Sequence, residues 1–217
     1  MRKGAATRER ILEIAEAAVL SKGFGATSIE ELIAEAGITK SGFFYHFKDK
    51  NELALGLLER HRQQNQQLMD DILGRARQLS DDPLQVLLIG LTLLAERMAE
   101  LPGGHPGCIV ASLSYQDRLF DRSVRELAAE LTREWLALVH NLVEEALALH
   151  PVRDSVGAEQ VARAVTCAID GGIILSKTLG DPAMLSEQIL MARNFVKLLF
   201  QPQMAMPALR PALAGAA

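Results

Sequence analysis

An all-α fold is predicted by three observations. Apolar residues recur at a 3.6-residue spacing through most of the chain, the spacing that lines one face of a helix. The 217 residues are 49% hydrophobic but only 5% aromatic, and the Leu, Ala, Ile and Val are interleaved with Glu, Arg and Gln, a helix-forming mixture. Each periodic stretch is bounded by capping residues or by Gly and Pro. Strands have little support, and the apolar content is ample for a continuous core.

The elements follow in order. Thr7 caps a first helix through Ile11, Ile14, Ala15, Ala18 and Val19, stopped by Lys22 and Gly23. Thr27-Ser28-Ile29-Glu30 reads as a capping box that opens a helix of about two turns through Ile29, Leu32, Ile33 and Ala36. Gly37 ends it in the left-handed conformation, which a side chain disfavours by roughly 1 kcal/mol or more. After Ile38, Thr39 caps a third segment from Lys40 to Phe47, and Asp49 with Glu52 starts a long helix toward Gln78. Asp82-Pro83 begins a helix to Glu100, broken by Leu101-Pro102-Gly103-Gly104-His105-Pro106-Gly107. A short segment, Cys108 to Tyr115, leads to helices at about 121–149, 158–179 and 182–200. The Pro- and Ala-rich tail, 201–217, is expected to be disordered.

Composition excludes several classes. No apolar run approaches the ~20 residues that cross a bilayer, and MRKGAATRER lacks the apolar core of a signal peptide, so the expected location is the cytoplasm with no membrane partner. The two cysteines, Cys108 and Cys167, lie far apart without metal-ligand spacing, which gives no disulfide framework and no metal site. Nucleophile elbows, phosphate loops and HExxH are absent; His105, His140 and His150 have no evident partners, and neither an enzymatic activity nor a cofactor is expected. The net charge of −4 hides an asymmetry: residues 1–62 hold ten Lys/Arg against nine Asp/Glu, and the remainder thirteen against eighteen.

Two short helices joined at a glycine, after a longer one, match a helix-turn-helix, whose second helix enters the DNA major groove. Residues 23–53, GFGATSIEELIAEAGITKSGFFYHFKDKNEL, resemble the N-terminal domain of the TetR family along its whole length: Thr27 at the second helix, Ala36-Gly37-Ile38-Thr39 at the turn, the aromatic run, and Lys50 with Leu53. The resemblance implies a one-component regulator, most simply a repressor, that binds a palindromic double-stranded operator as a homodimer and is released by a small-molecule effector or by thiol modification. It divides the chain into a DNA-binding domain at 1–53 with an arm at 1–6, and a ligand-binding and dimerisation domain at 54–200.

Thr27 and Thr39 put hydroxyls and free N–H groups at helix starts, where a phosphate can bind. Lys40 and Lys50 supply positive charge for phosphate contact. Resemblance and helix phase expose Lys40, Ser41, Gly42 and Tyr45 toward base edges; Tyr45 and His46 donate, and Phe43 and Phe47 pack beneath. Two positions depart from the family pattern: Phe44 stands where Tyr is usual and lacks its hydroxyl, and Ile33 stands where a small Ala is usual. In the arm, Arg2, Lys3, Arg8 and Arg10 either reach phosphate or the minor groove or form an ordinary solvated tail.

Apolar stripes at Val161, Val165, Ala168, Ile169, Gly172 and Ile173, and at Leu185, Ile189, Ala192, Phe195, Val196 and Leu199, demand burial, either across a two-fold axis or within one chain. Reading successive major grooves favours the dimer, and its interface is assigned to Val165, Ile169, Gly172, Ile173, Ile189, Phe195 and Val196. Met98, Tyr115, Trp135 and His140 are candidate effector contacts, with plain core as the alternative. Cys108, at the start of a short helix, is either a reactive thiol of lowered pKa or a small buried residue. A non-catalytic helical interaction module and an activator of the same fold are the rival functions; the module leaves GITKSGFFYHFKDK without a role.

Overall fold

A computed structural model describes residues 3–152 and 156–201. The tail expected to be disordered lies outside them apart from Gln201, as does Arg2. The elements are α1 (Lys3–Lys22), α2 (Ile29–Ala36), α3 (Lys40–His46), α4 (Lys50–Leu79), α5 (Pro83–Ala99), α6 (Ile109–Ser114), a 3-10 turn (Asp117–Leu119), α7 (Arg122–Leu149), α8 (Ala158–Leu179) and α9 (Ala183–Leu199). There is no strand among the described residues, and no helix among them is long and apolar enough to cross a membrane.

Local chemistry sets most boundaries. Asp49 Oδ1 accepts the Glu52 N–H at 2.9 Å while Glu52 Oε2 accepts the Lys48 N–H at 2.6 Å, a reciprocal cap one residue wider than usual. Asp82 Oδ1 accepts the Gln85 N–H at 3.0 Å with Pro83 in the first turn. Gly37 adopts φ 63°, ψ 38°, and turns the chain from α2 to α3. Thr7 is not a cap: α1 starts at Lys3, because Ala5 and Ala6 favour helix and nothing ahead of Thr7 interrupts it. Residues 3–6 are therefore helical rather than an arm. The cap of α2 is Ser28, whose Oγ accepts the Glu31 N–H at 3.1 Å, one residue beyond Thr27.

Two cores result. The first gathers Ile11, Leu12 and Val19 of α1, Leu32 of α2, Phe43 and Phe47, and Leu53 and Leu57 of α4. It also includes Ile109 and Leu113 of α6, Phe120, and Val124 of α7. The second packs the end of α4 with α5, the later turns of α7, α8 and α9, around Leu73, Leu87, Leu91, Val143, Val165, Leu185, Ile189 and Val196. The N-terminal helices thus share their core with α6 and the start of α7.

Charged side chains tie the layers. Arg60 of α4 pairs with Glu9, Glu13 and Glu16 on one face of α1, and Arg62 bridges to Glu130 and Glu134 of α7 at 2.9 and 3.1 Å. Lys177 of α8 donates to the carbonyls of Leu20 and Pro106, closing the last turn of α1 from outside. His150, expected to lack a partner, lies 2.6 Å from Asp82 Oδ2 and joins the end of α7 to the start of α5.

Burial lowers the pKa of His61 on α4 and of His105 in the break after α5. The Nδ1 of His105 accepts the Gly107 N–H at 3.2 Å, so this imidazole is neutral with its proton on Nε2. An unfolded histidine takes its proton near pH ~6.5, above the folded value, so the unfolded chain binds more protons and stability falls as pH drops through that range. Glu16 and Asp170, whose pKa values are raised by desolvation, act in the opposite sense at lower pH. In thermal unfolding between about pH 7.5 and pH 5.5, the His61→Gln chain should therefore lose less Tm than the wild type; equal losses would show that His61 is not held neutral.

Candidate nucleic-acid interface

The recognition segment is built from a buried aromatic base and an open upper face. Phe43 and Phe47 are wholly buried with ring centroids 5.7 Å apart, and the Arg8 guanidinium lies 5.0 Å over the Phe47 ring. Arg8 therefore stabilises the underside of α3, and the solvated-tail alternative does not describe it. On the opposite face Thr39, Lys40 and Ser41 are exposed, Phe44 is 41% exposed and Tyr45 83%. Such an outlay of exposed aromatic surface has no packing purpose within the chain. Phe44 meets Phe43 edge-on at 5.5 Å and Tyr45 meets His46 at 5.0 Å, which orients both rings. His46 is half-buried beside Gly4 of α1.

Thr39 organises the start of α3. Its Oγ1 accepts the Gly42 N–H at 3.1 Å and lies 3.0 Å from the Ser41 hydroxyl. A Cβ on Gly42 would come within 3.3 Å of that same Oγ1, so the glycine makes room for the cap as well as keeping the helix surface low. Lys50 directs its ammonium over the Phe24 ring at 5.6 Å, at the edge of the same surface. Thr27 is a correction: it is 3% exposed, and its hydroxyl donates to the Gly23 carbonyl at 2.9 Å. Its N–H is bonded to Phe24 O, so it steadies the turn before α2 and has no group free for phosphate. Ile33 packs, half-buried, against the first core beside α3.

Four contacts that sequence reasoning did not find fix this head to the rest. Gln116 Oε1 accepts the Gly25 N–H at 2.8 Å, Leu119 lies against Gly25, Phe120 meets Phe24 at 4.7 Å, and Asn51 Oδ1 accepts the Asp121 N–H at 3.0 Å. All come from the segment between α6 and α7.

The remaining expectations divide. Of the candidate effector contacts, Tyr115 is 78% exposed and His140 lies at the surface near Glu144. Met98 and Trp135 are half-buried against the second core, with Trp135 Nε1 donating to Thr166 Oγ1 at 3.1 Å. The structure does not gather these four into one cavity. Cys108 caps α6, its Sγ accepting the Ala111 N–H, but burial pushes the thiol pKa up, with Asp170 adding to the rise. The lowering expected at a helix start is outweighed, so the half-buried Cys108 lacks the lowered pKa expected of a reactive thiol. Among the interface candidates, Val165, Gly172, Ile189 and Val196 are buried within the single chain and cannot reach a partner. Ile169 and Ile173 are half-buried, and Phe195 is exposed alongside Leu175, Leu179, Met191 and Leu198.

A short helix held open above a buried aromatic pair, after a left-handed glycine turn, defines a helix-turn-helix DNA-binding head. The sequence model described as "Bacterial regulatory proteins, tetR family" matches residues 11–57, and the "Tetracyclin repressor-like, C-terminal domain" matches 88–190. Together they span more than two thirds of the chain, which belongs to the TetR family of transcriptional regulators; these are DNA-binding proteins rather than enzymes. An HTH-type transcriptional regulator in the lacX 3' region of Lactococcus lactis is 27% identical over 197 residues, 88% of this chain and 94% of that protein. The HTH-type transcriptional repressor NemR of Escherichia coli is 31% identical over 67 residues, 31% of this chain and 34% of NemR. The crystal structure of reduced NemR superposes with a TM-score of 0.72 at 22% identity, covering 94% of this chain and all of that one. A TetR-family regulator from Agrobacterium tumefaciens gives 0.75 at 18% identity, covering 92% and 100%. These two structures establish the shared fold.

Thr39→Ala should destabilise the chain by about 1 kcal/mol through loss of the α3 cap, with Thr39→Ser retaining most of it. Urea unfolding measures the difference, and equal midpoints for the Ala and Ser variants would show that the hydroxyl caps nothing.

Proposed function

We propose that this regulator is a repressor that grips a two-fold symmetric operator as a homodimer and leaves it when a small molecule binds. The reading is carried by the open face of α3, where Lys40, Ser41 and Tyr45 project above buried Phe43 and Phe47. In it, Tyr45 and Ser41 approach base edges, Lys40 reaches both base edges and phosphate, and Thr39, His46 and Lys50 serve phosphates. Gly42 keeps the helix surface low enough for close approach. Tyr45 offers the hydroxyl that Phe44 lacks, although one residue along a helix turns about 100° and its reach is to a different phosphate. Residues 1–53 act as the reading head and 54–200 as the sensing and pairing body, at work in the cytoplasm where the DNA is.

Homodimerisation is supported by the exposed Leu175, Leu179, Met191, Phe195 and Leu198 of α8 and α9. Large exposed apolar side chains at helical spacing on two neighbouring helices suit burial against a partner. The α8–α9 interface proposed here uses these residues with Ile169 and Ile173 at its margin. Two heads on one rigid pair can be set roughly 34 Å apart, the repeat of the major groove. Small-molecule release is supported by the head's four contacts to the α6–α7 segment, which give the body a mechanical hold on the reading helix. Repression is supported by the 31% identity to the repressor NemR over 67 residues.

The test is fluorescence anisotropy of labelled DNA from upstream of the protein's own gene and of its neighbours, at two salt concentrations, with random DNA as competitor. Binding should survive competitor. Lys40→Ala should lower the log–log salt slope by about one unit, and Tyr45→Ala should cost roughly 1–3 kcal/mol of specific affinity, both at unchanged urea midpoint. Binding that random DNA displaces as readily, or variants indistinguishable from wild type, would overturn the proposal.

A further inference from the structure

We propose that the effector cleft lies between α6, the 3-10 turn and the first turns of α7, and that its ligand is a small amphipathic organic anion: an apolar body bearing one carboxylate. The inference rests on the ligand-released reading above and gives it a place and a chemical class.

The cleft has a volume of about 200 Å³, and its floor is apolar, formed by Leu113, Phe120, Val124, Ala128 and Ala129. An apolar cavity of about 150 Å³ takes benzene, so this one admits a ring or short chain with a substituent. The hydroxyls at its rim are turned inward: Ser114 donates to Val110 O at 2.8 Å and Thr132 to Ala128 O at 3.0 Å. They make no demand for a polar body.

Charge enters from one side. Arg125 lines this cleft and an adjoining open one that also holds Arg122, Glu126, Glu130 and Arg133. Arg122 pairs with Glu126 at 2.6 Å, and Glu130 pairs at 2.9 Å with Arg62, which also holds Glu59 and Glu134. Arg125 is fixed by the carbonyls of Phe120 and Asp117, which orient the guanidinium without cancelling its charge. Neither it nor Arg133 has an ion-pair partner among the described residues; Asp117 is the acid that lines the slot, and Asp121 lies close enough to Arg125 for the guanidinium to help lower its pKa. Arg125 at the slot and Arg133 in the adjoining cleft, both outside ion pairs, suit an anion whose head stays at the rim and whose body enters the slot.

The position explains how occupancy would reach DNA. Phe120 forms the cleft wall with one side and meets Phe24 of the head with the other; Asp117 follows Gln116, which holds Gly25, and Asp121 next to Phe120 is held by Asn51. A body wedged against Phe120 biases the same segment that fixes α2 and α3, and so the affinity for DNA.

The experiment is calorimetric titration of the full chain with benzoate, cinnamate and octanoate, with cinnamamide as the neutral isostere and acetate as the charge without a body. At least one of the three anions should bind, acetate should not, and cinnamamide should bind about tenfold or more weakly than cinnamate. Arg133→Gln should weaken the bound anion by about tenfold. Ala129→Trp and, separately, Thr132→Trp fill the slot from the solvent side of α7 and, once circular dichroism shows them folded, should abolish binding. The proposal is overturned if none of the three anions binds, if cinnamamide matches cinnamate, or if both Trp variants bind as the wild type does. Wild-type protein that fails to hold DNA would instead sink the repressor reading; wild-type protein released from DNA by a compound that releases Ala129→Trp equally well would sink the cleft alone.

Discussion

Phe120 packs edge-on against Phe24 at 4.7 Å, and through this contact the reading head completes its core with side chains from the body. Three helices and the first turns of a fourth make a small unit of marginal stability; a ~60-residue domain buries only about 60% of what its unfolded chain exposes. Ile109, Leu113, Phe120 and Val124 add to its core. The orientation of α3 therefore depends on α6 and α7 being in place. The same segment adds Gln116 and accepts Asn51, two exposed hydrogen bonds that fix the register of the junction.

Around that junction, charge serves geometry more than net field. Arg60 against three glutamates of α1 and Arg62 against Glu130 and Glu134 hold the long α4 to its neighbours on both sides. Most of these partners are partly exposed, so each pair contributes modestly to stability and chiefly fixes register. The head itself is nearly neutral, as the even count of acids and bases in residues 1–62 requires. Its basic groups are distributed by role: Arg8 lies over Phe47, Lys50 over Phe24, and Lys40 alone of these three stands clear on the open face.

What the sequence made legible was what neighbours in the chain decide. Thr39, Asp49 and Asp82 cap because a side-chain oxygen meets an N–H three residues on, and Gly37 turns left-handed because the next helix demands it. Thr27 and Ser28 are both cap residues, and burial of Thr27 in the turn, which the pattern does not encode, gives the cap to Ser28. Helical periodicity marked Val165, Ile189 and Val196 as buried but not against what; the second core, not a partner chain, covers them. Gln116 to Gly25 spans 91 positions and Asp121 to Asn51 spans 70, with ordinary polar residues at both ends, so no local signal announces them. For Cys108 the helix-start effect was legible and the competing burial was not.

If the head and the α6–α7 segment are one mechanical unit, their amides should open together. Native-state hydrogen exchange at low denaturant measures this residue by residue. The account predicts that protected amides of α1 to α3 share one opening free energy with those of α6 and the first turns of α7, and that Phe120→Ala lowers both sets equally. Amides of α1 to α3 that open at their own free energy, unmoved by Phe120→Ala, would show that the head stands on its own and that the body has no hold on it.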